Sequence, residues 1–91
     1  MSYKVVWTSR FKRDYKLAQK RGRIMPLLHE VIDLLASDEK LPVRYQDHPL
    51  TGNYAGFREC HIQPDWLLVY RIHKTILTLT LFRTGSHSDL F

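Results

Sequence analysis

Three histidines, one aspartate and one arginine in the second half of the chain have side chains suited to acid–base chemistry. They are His48, His61, Asp65, Arg83 and His87. In metal-free RNA cleavage, a 2′-hydroxyl loses a proton as it attacks the phosphate, and the departing 5′-oxygen gains one. Histidine can serve in both transfers because its ordinary pKa, about 6.5, lies near neutral pH. An arginine fork can bind the phosphate as negative charge builds on it. The set therefore favours phosphodiester cleavage by side chains alone.

Other kinds of reactive site lack their sequence patterns. The chain has no cysteine–histidine spacing typical of zinc, no glycine-rich phosphate loop and no carboxylate cluster typical of magnesium. We therefore expect neither a metal nor a cofactor. Cys60 is the single cysteine and lies in an apolar run, so we expect a small core residue in a protein of the reducing cytoplasm.

The segment from 58 to 72 predicts a β-hairpin. Its first strand ends near Ile62, the next three residues, Gln-Pro-Asp, supply turn chemistry, and a second apolar run begins at Trp66. The tip would then carry His61, Asp65 and Trp66 close together. A simple hairpin with a polar tip would give the same local pattern. The choice between that and a functional site therefore depends on the segments before and after the hairpin.

Positive charge is concentrated in the first quarter of the chain. The net charge is +5, but residues 1–23 hold eight Lys or Arg against one acid, and residues 24–91 hold six against eight. This asymmetry favours a polyanionic partner such as nucleic acid, with a solvated helix face as the alternative. The candidate RNA-binding residues are four cations of the first helix and two aromatic rings that could stack splayed bases: Lys12, Arg13, Lys16, Lys20, Trp66 and Phe91.

The apolar pattern predicts an α+β fold in the order β-α-α-β-β-β, with an N-terminal strand and an antiparallel helical hairpin packed on a mostly antiparallel sheet. The first helix has an apolar stripe at Phe11, Tyr15 and Ala18 and should end at Gly22. Residues 37–56 form the longest irregular stretch, and His48 lies within it. The last strand is expected from 75 to 82, with its leucines packed on the helices. All 91 residues fit one domain, without a membrane span or signal peptide.

Several spaced motifs, together covering nearly the whole chain, resemble the YafQ branch of the RelE/ParE toxin superfamily. They are Lys16-Leu-Ala-Gln-Lys-Arg21, His48-Pro-Leu with Gly52, Phe57-Arg-Glu-Cys-His61, Pro64-Asp-Trp66 with Val69-Tyr70, Arg83-Thr-Gly-Ser-His87 and Leu90-Phe91. The resemblance implies a RelE-like domain over residues 1–91. It also implies the toxin of a type II toxin–antitoxin pair, an endoribonuclease that cuts mRNA in the ribosomal A site.

The resemblance also implies partners and site residues. The partners would be an antitoxin with an acidic C-terminal segment, the ribosome and mRNA, with operator DNA reached only through the antitoxin complex. The site residues carried over by position are His48, His61, Asp65, Trp66, Arg83, His87 and Phe91. We expect His87 to act as general acid and Arg83 to bind the phosphate. The base would be His48 or Asp65, with His61 in support. Glu59 and Cys60 receive no role.

Two other functions remain open from the sequence. A ParE-like protein of the same fold would poison DNA gyrase without cutting RNA, although such a role does not need three histidines. A nucleic-acid-binding module without catalytic activity would need only the basic helix.

Overall fold

The structure is a computed structural model that describes residues 2–91. Five strands and three helices follow one another, with short 3-10 turns at Val43–Tyr45 and Gly52–Tyr54. In chain order the elements are β1 (Lys4–Trp7), α1 (Ser9–Lys20), α2 (Met25–Ala36), β2 (His48–Pro49), β3 (Arg58–Gln63), β4 (Trp66–His73), β5 (Thr78–Gly85) and α3 (His87–Leu90).

The five strands form one mixed sheet in the order β1-β5-β4-β3-β2. β1 runs parallel to β5, and the other three pairs are antiparallel. The main core lies between the sheet and helices α1 and α2, where Phe11, Leu28 and Leu79 have no exposed surface. A smaller apolar cluster, around Leu67 and Leu90, uses other buried residues. The predicted α+β architecture is confirmed.

Local sequence explains where α1 begins and ends. The hydroxyl of Thr8 accepts a hydrogen bond from the backbone N–H of Phe11 and so caps the first turn. At the other end Gly22 has φ +74°, a left-handed conformation that costs glycine little. The N–H of Gly22 and the next N–H, of Arg23, bond the last free carbonyls of the helix, as in a Schellman motif. The expected helix end at Gly22 is therefore confirmed.

The predicted hairpin is present as β3 and β4, joined through Pro64 and Asp65. The pairing shifts by one residue between His61 and Gln63. Such a bulge bends the strand and changes which residues face each side of the sheet. This irregularity lies at the tip, where the reactive side chains are concentrated.

The expected start of the last strand was wrong. Residues 74–77 form a four-residue turn, and β5 begins at Thr78 and continues to Gly85. Leu77 adopts φ +49° in this turn and is 39% exposed, so it does not pack on the helices as Leu79 and Leu81 do. In this turn the left-handed Leu77 helps to reverse the chain, and a period-two pattern that continues into the turn does not reveal it.

Two short elements were not predicted, and both carry histidines. β2 pairs His48 with Glu59 at the edge of the sheet. α3 begins at His87 and is capped by Ser86 and Asp89, whose side chains each accept the other's backbone N–H. Within residues 2–91, no helix has the length and apolar character needed to cross a membrane.

Candidate active site

The candidate site lies around the tip of the β3–β4 hairpin, and its residues come from β2, β3, the hairpin turn, β5 and the start of α3. In β3, Cys60 and Ile62 are buried in the core shared with the helices. Side chains alternate along a strand, so Glu59 and His61 point to the opposite face. β2 brings His48 opposite Glu59, and the start of α3 brings His87.

Three imidazole rings lie in a row around the carboxylate of Glu59. One oxygen of Glu59, Oε1, is 3.7 Å from Nε2 of His48 and 3.7 Å from Nε2 of His61. The ring centres of His48 and His61 are 6.5 Å apart, and those of His61 and His87 are 5.8 Å apart. Glu59 is only 5% exposed, so its charge acts on the two imidazoles with little screening by water. It can therefore stabilise an imidazolium formed on either ring.

His87 is held by Asp65. Oδ1 of Asp65 lies 3.2 Å from the backbone nitrogen of His87 and 3.2 Å from its Nδ1. These hydrogen bonds, the side-chain one first, hold the pKa of Asp65 below its usual range. Because an ionised carboxylate only accepts hydrogen bonds, Nδ1 of His87 is the protonated nitrogen, and Nε2 is left to exchange a proton with a substrate.

His61 is oriented in a similar way by the turn that follows it. Its Nδ1 lies 3.3 Å from the backbone carbonyl of Pro64, which can only accept. Nδ1 therefore carries the proton, and Nε2 faces Glu59. The hairpin turn thus fixes the tautomer of His61 through Pro64 and the position of His87 through Asp65.

Arg83 lies on β5 and is bound by an aspartate of α1. Its Nε and one terminal nitrogen contact the two carboxylate oxygens of Asp14 at 2.7 and 3.2 Å. The backbone N–H of Thr84 donates to the same carboxylate. These contacts raise the pKa of Arg83, and its side chain is 23% exposed. Arg83 is therefore a fixed cation with part of its fork accessible.

Trp66 does not form the exposed plate that the hairpin pattern predicted. Its ring has no exposed surface, and its Nε1 donates to the hydroxyl of Thr84 at 2.9 Å. The guanidinium of Arg23 lies 5.3 Å from the ring centre. A ring enclosed in this way cannot stack an RNA base, so that expectation was wrong. Trp66 instead packs in the core next to the hairpin tip, where its large indole ring fills much of the space.

The other predicted contact residues lie on the surface. Phe91 is 56% exposed, and its ring packs edge-on against Tyr54 with centres 5.4 Å apart. Four cations of α1 also have exposed side chains, and we call them the basic surface: Lys12, Arg13, Lys16 and Lys20. Exposure leaves both sets available to a ligand, and their RNA contacts stay a prediction.

A candidate metal site coincides with part of this cluster. Glu59, His61 and His87 each offer one ligand atom, and these atoms lie within 4.8 Å of one another. A carboxylate with two imidazoles suits zinc and related divalent metals. This set was not predicted, because His87 lies 26 residues beyond His61 and short-range metal-ligand spacing does not connect them.

Glu59 is the main residue that the sequence reasoning missed. The signal was available, because residues two apart in a strand share a face and Glu59 precedes His61 by two. Cys60, between them, is buried, and burial raises the pKa of its thiol well above the usual range. It is a core residue, as expected.

Comparison with known proteins identifies the family of this chain. Residues 3–91 match the profile of a family described as the bacterial toxin of a type II toxin–antitoxin system, YafQ. The chain is 39% identical over 88 residues to the mRNA interferase toxin YafQ of Escherichia coli K12, covering 96% of this chain and 94% of that protein.

Two experimental structures are also close to this fold. In the crystal structure of the E. coli DinJ–YafQ toxin–antitoxin complex, the toxin matches with a TM-score of 0.91 and 37% identity, over 100% of this chain and 99% of that one. The crystal structure of a metal-bound toxin from Helicobacter pylori matches with a TM-score of 0.92 and 45% identity, over the whole of both chains.

The fold, a helical pair on a five-stranded mixed sheet, is that of the RelE-like toxins. Within that class, the chain belongs to the YafQ family of toxins of bacterial type II toxin–antitoxin systems.

Proposed function

We propose that this chain is a ribosome-dependent endoribonuclease that cuts mRNA in the ribosomal A site. One observation carries the proposal: His48, His61 and His87 lie in a row, each with a carboxylate beside it. RNA cleavage by acid–base chemistry needs two proton-transfer groups around one phosphate. The name of the E. coli relative, mRNA interferase toxin, agrees with this chemistry.

His87 acts as the general acid. Its Nε2 gives a proton to the 5′-oxygen of the leaving nucleotide, while Asp65 holds Nδ1 and stabilises the imidazolium before transfer. Asp65 therefore orients His87 and does not take the proton of the 2′-hydroxyl. This division of roles follows because the hydrogen bonds from His87 to Oδ1 hold the pKa of Asp65 below its usual range, which makes its carboxylate a weak proton acceptor.

The base is supplied by the pair His48 and His61 with Glu59 between them. The imidazole that accepts the 2′-proton becomes a cation, and the Glu59 carboxylate 3.7 Å away stabilises that charge. His48 is the more exposed of the two, which favours it for direct contact with the ribose, and His61 supports it.

Arg83 stabilises the negative charge that builds on the phosphate. Asp14 binds two of the five N–H groups of its fork, so the others can donate to phosphate oxygens. Asp14 also limits the rotation of the side chain, which reduces the entropy lost when the phosphate binds.

Partner contacts fall on the basic surface. Its exposed cations suit ribosomal RNA, and they also suit the acidic C-terminal segment of a cognate antitoxin. The E. coli toxin of known structure was crystallised with its antitoxin DinJ, which supports an equivalent partner for this chain.

Cleavage itself needs no metal in this scheme. An ion bound by Glu59, His61 and His87 would act as a Lewis acid on a phosphate oxygen. His61 and His87 also take part in the proposed proton transfer, and an imidazole nitrogen that binds a metal cannot carry a proton, so the transfer requires these nitrogens to be free of metal. We expect cleavage to persist when a chelator selective for transition metals over magnesium is added to assembled ribosome complexes. Loss of cleavage that zinc restores would contradict metal independence.

The proposal is tested with purified protein and ribosomes that carry a defined mRNA in the A site. Alanine at His48, His61 or His87 should reduce single-turnover cleavage while circular dichroism stays unchanged. Full activity in all three variants would exclude acid–base catalysis by this row of histidines. Growth inhibition without cleavage by the parent protein would favour a binding toxin instead.

A further inference from the structure

A pocket of about 410 Å³ opens beside the histidine row and has no role in the mechanism above. It lies between the start of α2, the 3-10 turn at Val43–Tyr45 and the end of β3. β2 pairs only with residues 58 and 59, so the outer edge of β3 beyond them has no strand partner. His61 forms part of the wall, and the same imidazole faces Glu59 in the candidate active site. A molecule bound in the pocket would therefore touch a residue of the reaction centre.

In one wall of the pocket, the planar guanidinium of Arg44 is held in a fixed orientation. The guanidinium of Arg44 lies over the ring of Tyr45 with 4.7 Å between its carbon and the ring centre. One terminal nitrogen of Arg44 also donates to the Tyr45 hydroxyl at 3.0 Å. Tyr45 is buried and Arg44 is exposed, so the outer face of the guanidinium is open. Arginine planes held in this way stack unpaired bases in RNA complexes.

The remaining lining suits a neutral, hydrogen-bonding ring better than a phosphate. Two amides, of Gln46 and Gln63, can each donate and accept hydrogen bonds, as base edges require. The carboxylate of Glu30 also lines the pocket and would repel a second anion next to Arg44. Apolar side chains, including Ile62, complete the wall. This mixture matches a nucleobase, which has two apolar faces and a polar edge.

We propose that this pocket binds one base of the A-site codon, next to the scissile phosphate, and that Arg44 stacks on it. The inference rests on the proposed RNA cleavage and assigns a substrate subsite to it. It also supplies the stacking surface that the buried ring of Trp66 cannot provide. The message would then cross the histidine row. One of its bases would stack on Arg44 above Tyr45, and the rest of the strand would continue towards Phe91, which is exposed beyond α3.

The test combines one protein change with changes to the message. Ribosomes are programmed with messages that carry an abasic nucleotide at each position of the A-site codon in turn, and kcat/KM is measured for the parent and for Arg44→Ala. At one position the abasic change should slow the parent about 5- to 100-fold, as expected for a lost base stack. At that same position, the abasic nucleotide should reduce the kcat/KM of Arg44→Ala little, because this variant has already lost the stacking contact. Independent, multiplicative effects at all three positions would overturn the proposal.

Arg44→Lys separates stacking from charge. Lysine keeps the positive charge but has no flat face, so it should resemble alanine in this assay. Recovery of parental kcat/KM by lysine would identify a phosphate contact and overturn the base subsite. Arg71→Ala is the matched control, because Arg71 is an exposed arginine above another ring, that of Phe57, and should behave as the parent.

Two further outcomes distinguish the base subsite from an antitoxin contact and from the proposed cleavage itself. If Arg44→Ala weakens binding of the antitoxin and leaves kcat/KM on every message unchanged, the pocket serves that partner and the subsite is refuted. If the parent fails to cut the unmodified message, the proposed function has failed, and the base subsite falls with it. If only the base subsite is wrong, the parent still cuts the unmodified message normally. Cleavage of the unmodified message therefore distinguishes failure of the subsite from failure of the proposed function.

Discussion

Asp65 accepts two hydrogen bonds from His87, one from its backbone N–H and one from its Nδ1, each at 3.2 Å. The two residues are 22 positions apart, so this contact ties the tip of the β3–β4 hairpin to the first turn of α3. It sets both the position and the tautomer of His87. The proposed general acid is thus held by the same turn that orients His61 through Pro64.

Replacing His87 by alanine should abolish most cleavage and leave the fold intact. Loss of one acid–base group costs about 10²–10⁴-fold in rate. The side chain is 56% exposed, so its removal leaves no cavity in the core. Single-turnover cleavage on programmed ribosomes measures the effect, and the adjacent, exposed Ser88→Ala is the control. Parental activity in His87→Ala would remove His87 from the mechanism.

Arg83→Ala should lose cleavage and also lose stability, because it leaves the Asp14 carboxylate without its partner. Asp14 is 13% exposed and would keep only the N–H of Thr84 as a donor, and the loss of its charged partner costs about 1–3 kcal/mol in the free energy of unfolding. The double variant Asp14→Asn with Arg83→Ala should recover part of the stability and none of the activity. Urea denaturation and cleavage assays give the two readouts. Activity that returns together with stability would show that Arg83 serves only the fold.

Neutralising the basic surface should weaken ribosome binding without affecting the core. The variant carries glutamine at Lys12, Arg13, Lys16 and Lys20, all of them exposed and away from the buried face of α1. Each lost phosphate contact should reduce the slope of log K against log salt by about 0.7–0.9. Binding is measured across a salt series.

A matched comparison tests whether ribosome binding depends on where the lysines lie and not only on the total charge. Lys16→Gln with Lys20→Gln removes two charges from α1, whereas Lys40→Gln with Lys74→Gln removes two exposed lysines outside it. We expect the first pair to reduce the salt slope more. Equal slopes for both pairs and the parent would mean that the helix face is only solvated.

Asp89 should stabilise the protein at neutral pH and lose that effect in acid. Its hydrogen bond from the backbone of Ser86, followed by its ion pair with Arg21 at 2.8 Å, holds the pKa of Asp89 at about 2, below its ordinary 3.8. Because the folded pKa is the lower one, the contribution is complete above about pH 4 and disappears as the pH falls towards 2. Asp89→Asn should lower the free energy of unfolding by about 1 kcal/mol at pH 7 and match the parent near pH 2.

Chemical denaturation across this pH range measures the effect on Asp89→Asn. The exposed Asp33→Asn on α2 is the control and should follow the parent more closely. A difference that stays constant from pH 7 to pH 2 would contradict the role of the ionised Asp89 carboxylate.

Most of the secondary structure was predictable because it depends on local patterns. The apolar stripe of α1, its glycine end and the Gln-Pro-Asp turn each act over a few residues. The face taken by Trp66 follows the regular alternation of β4, in which Trp66 and Leu68 face the helices and Leu67 faces the other way. Both faces of β4 are buried from Trp66 to Tyr70, so the position of Trp66 beside a polar turn did not indicate that its ring lies in the core.

The surroundings of the reactive groups were also harder to predict, because they depend on long-range contacts. Arg21 and Arg23 counted towards a nucleic-acid-binding charge cluster, yet Arg21 pairs with Asp89 and Arg23 lies above Trp66. The residue types that could do the chemistry were evident from the sequence. Which carboxylate stands beside which histidine required the fold.

The chemical ends of the cleaved message test the central claim most directly. Attack by the 2′-hydroxyl with histidine acid–base catalysis leaves a 2′,3′-cyclic phosphate or a 3′-phosphate on the upstream fragment and a 5′-hydroxyl on the downstream one. A message with a single 2′-deoxynucleotide at the cut should resist cleavage there. A 3′-hydroxyl end, or normal cutting of the deoxy-substituted message, would mean that water attacks the phosphate and would contradict the account.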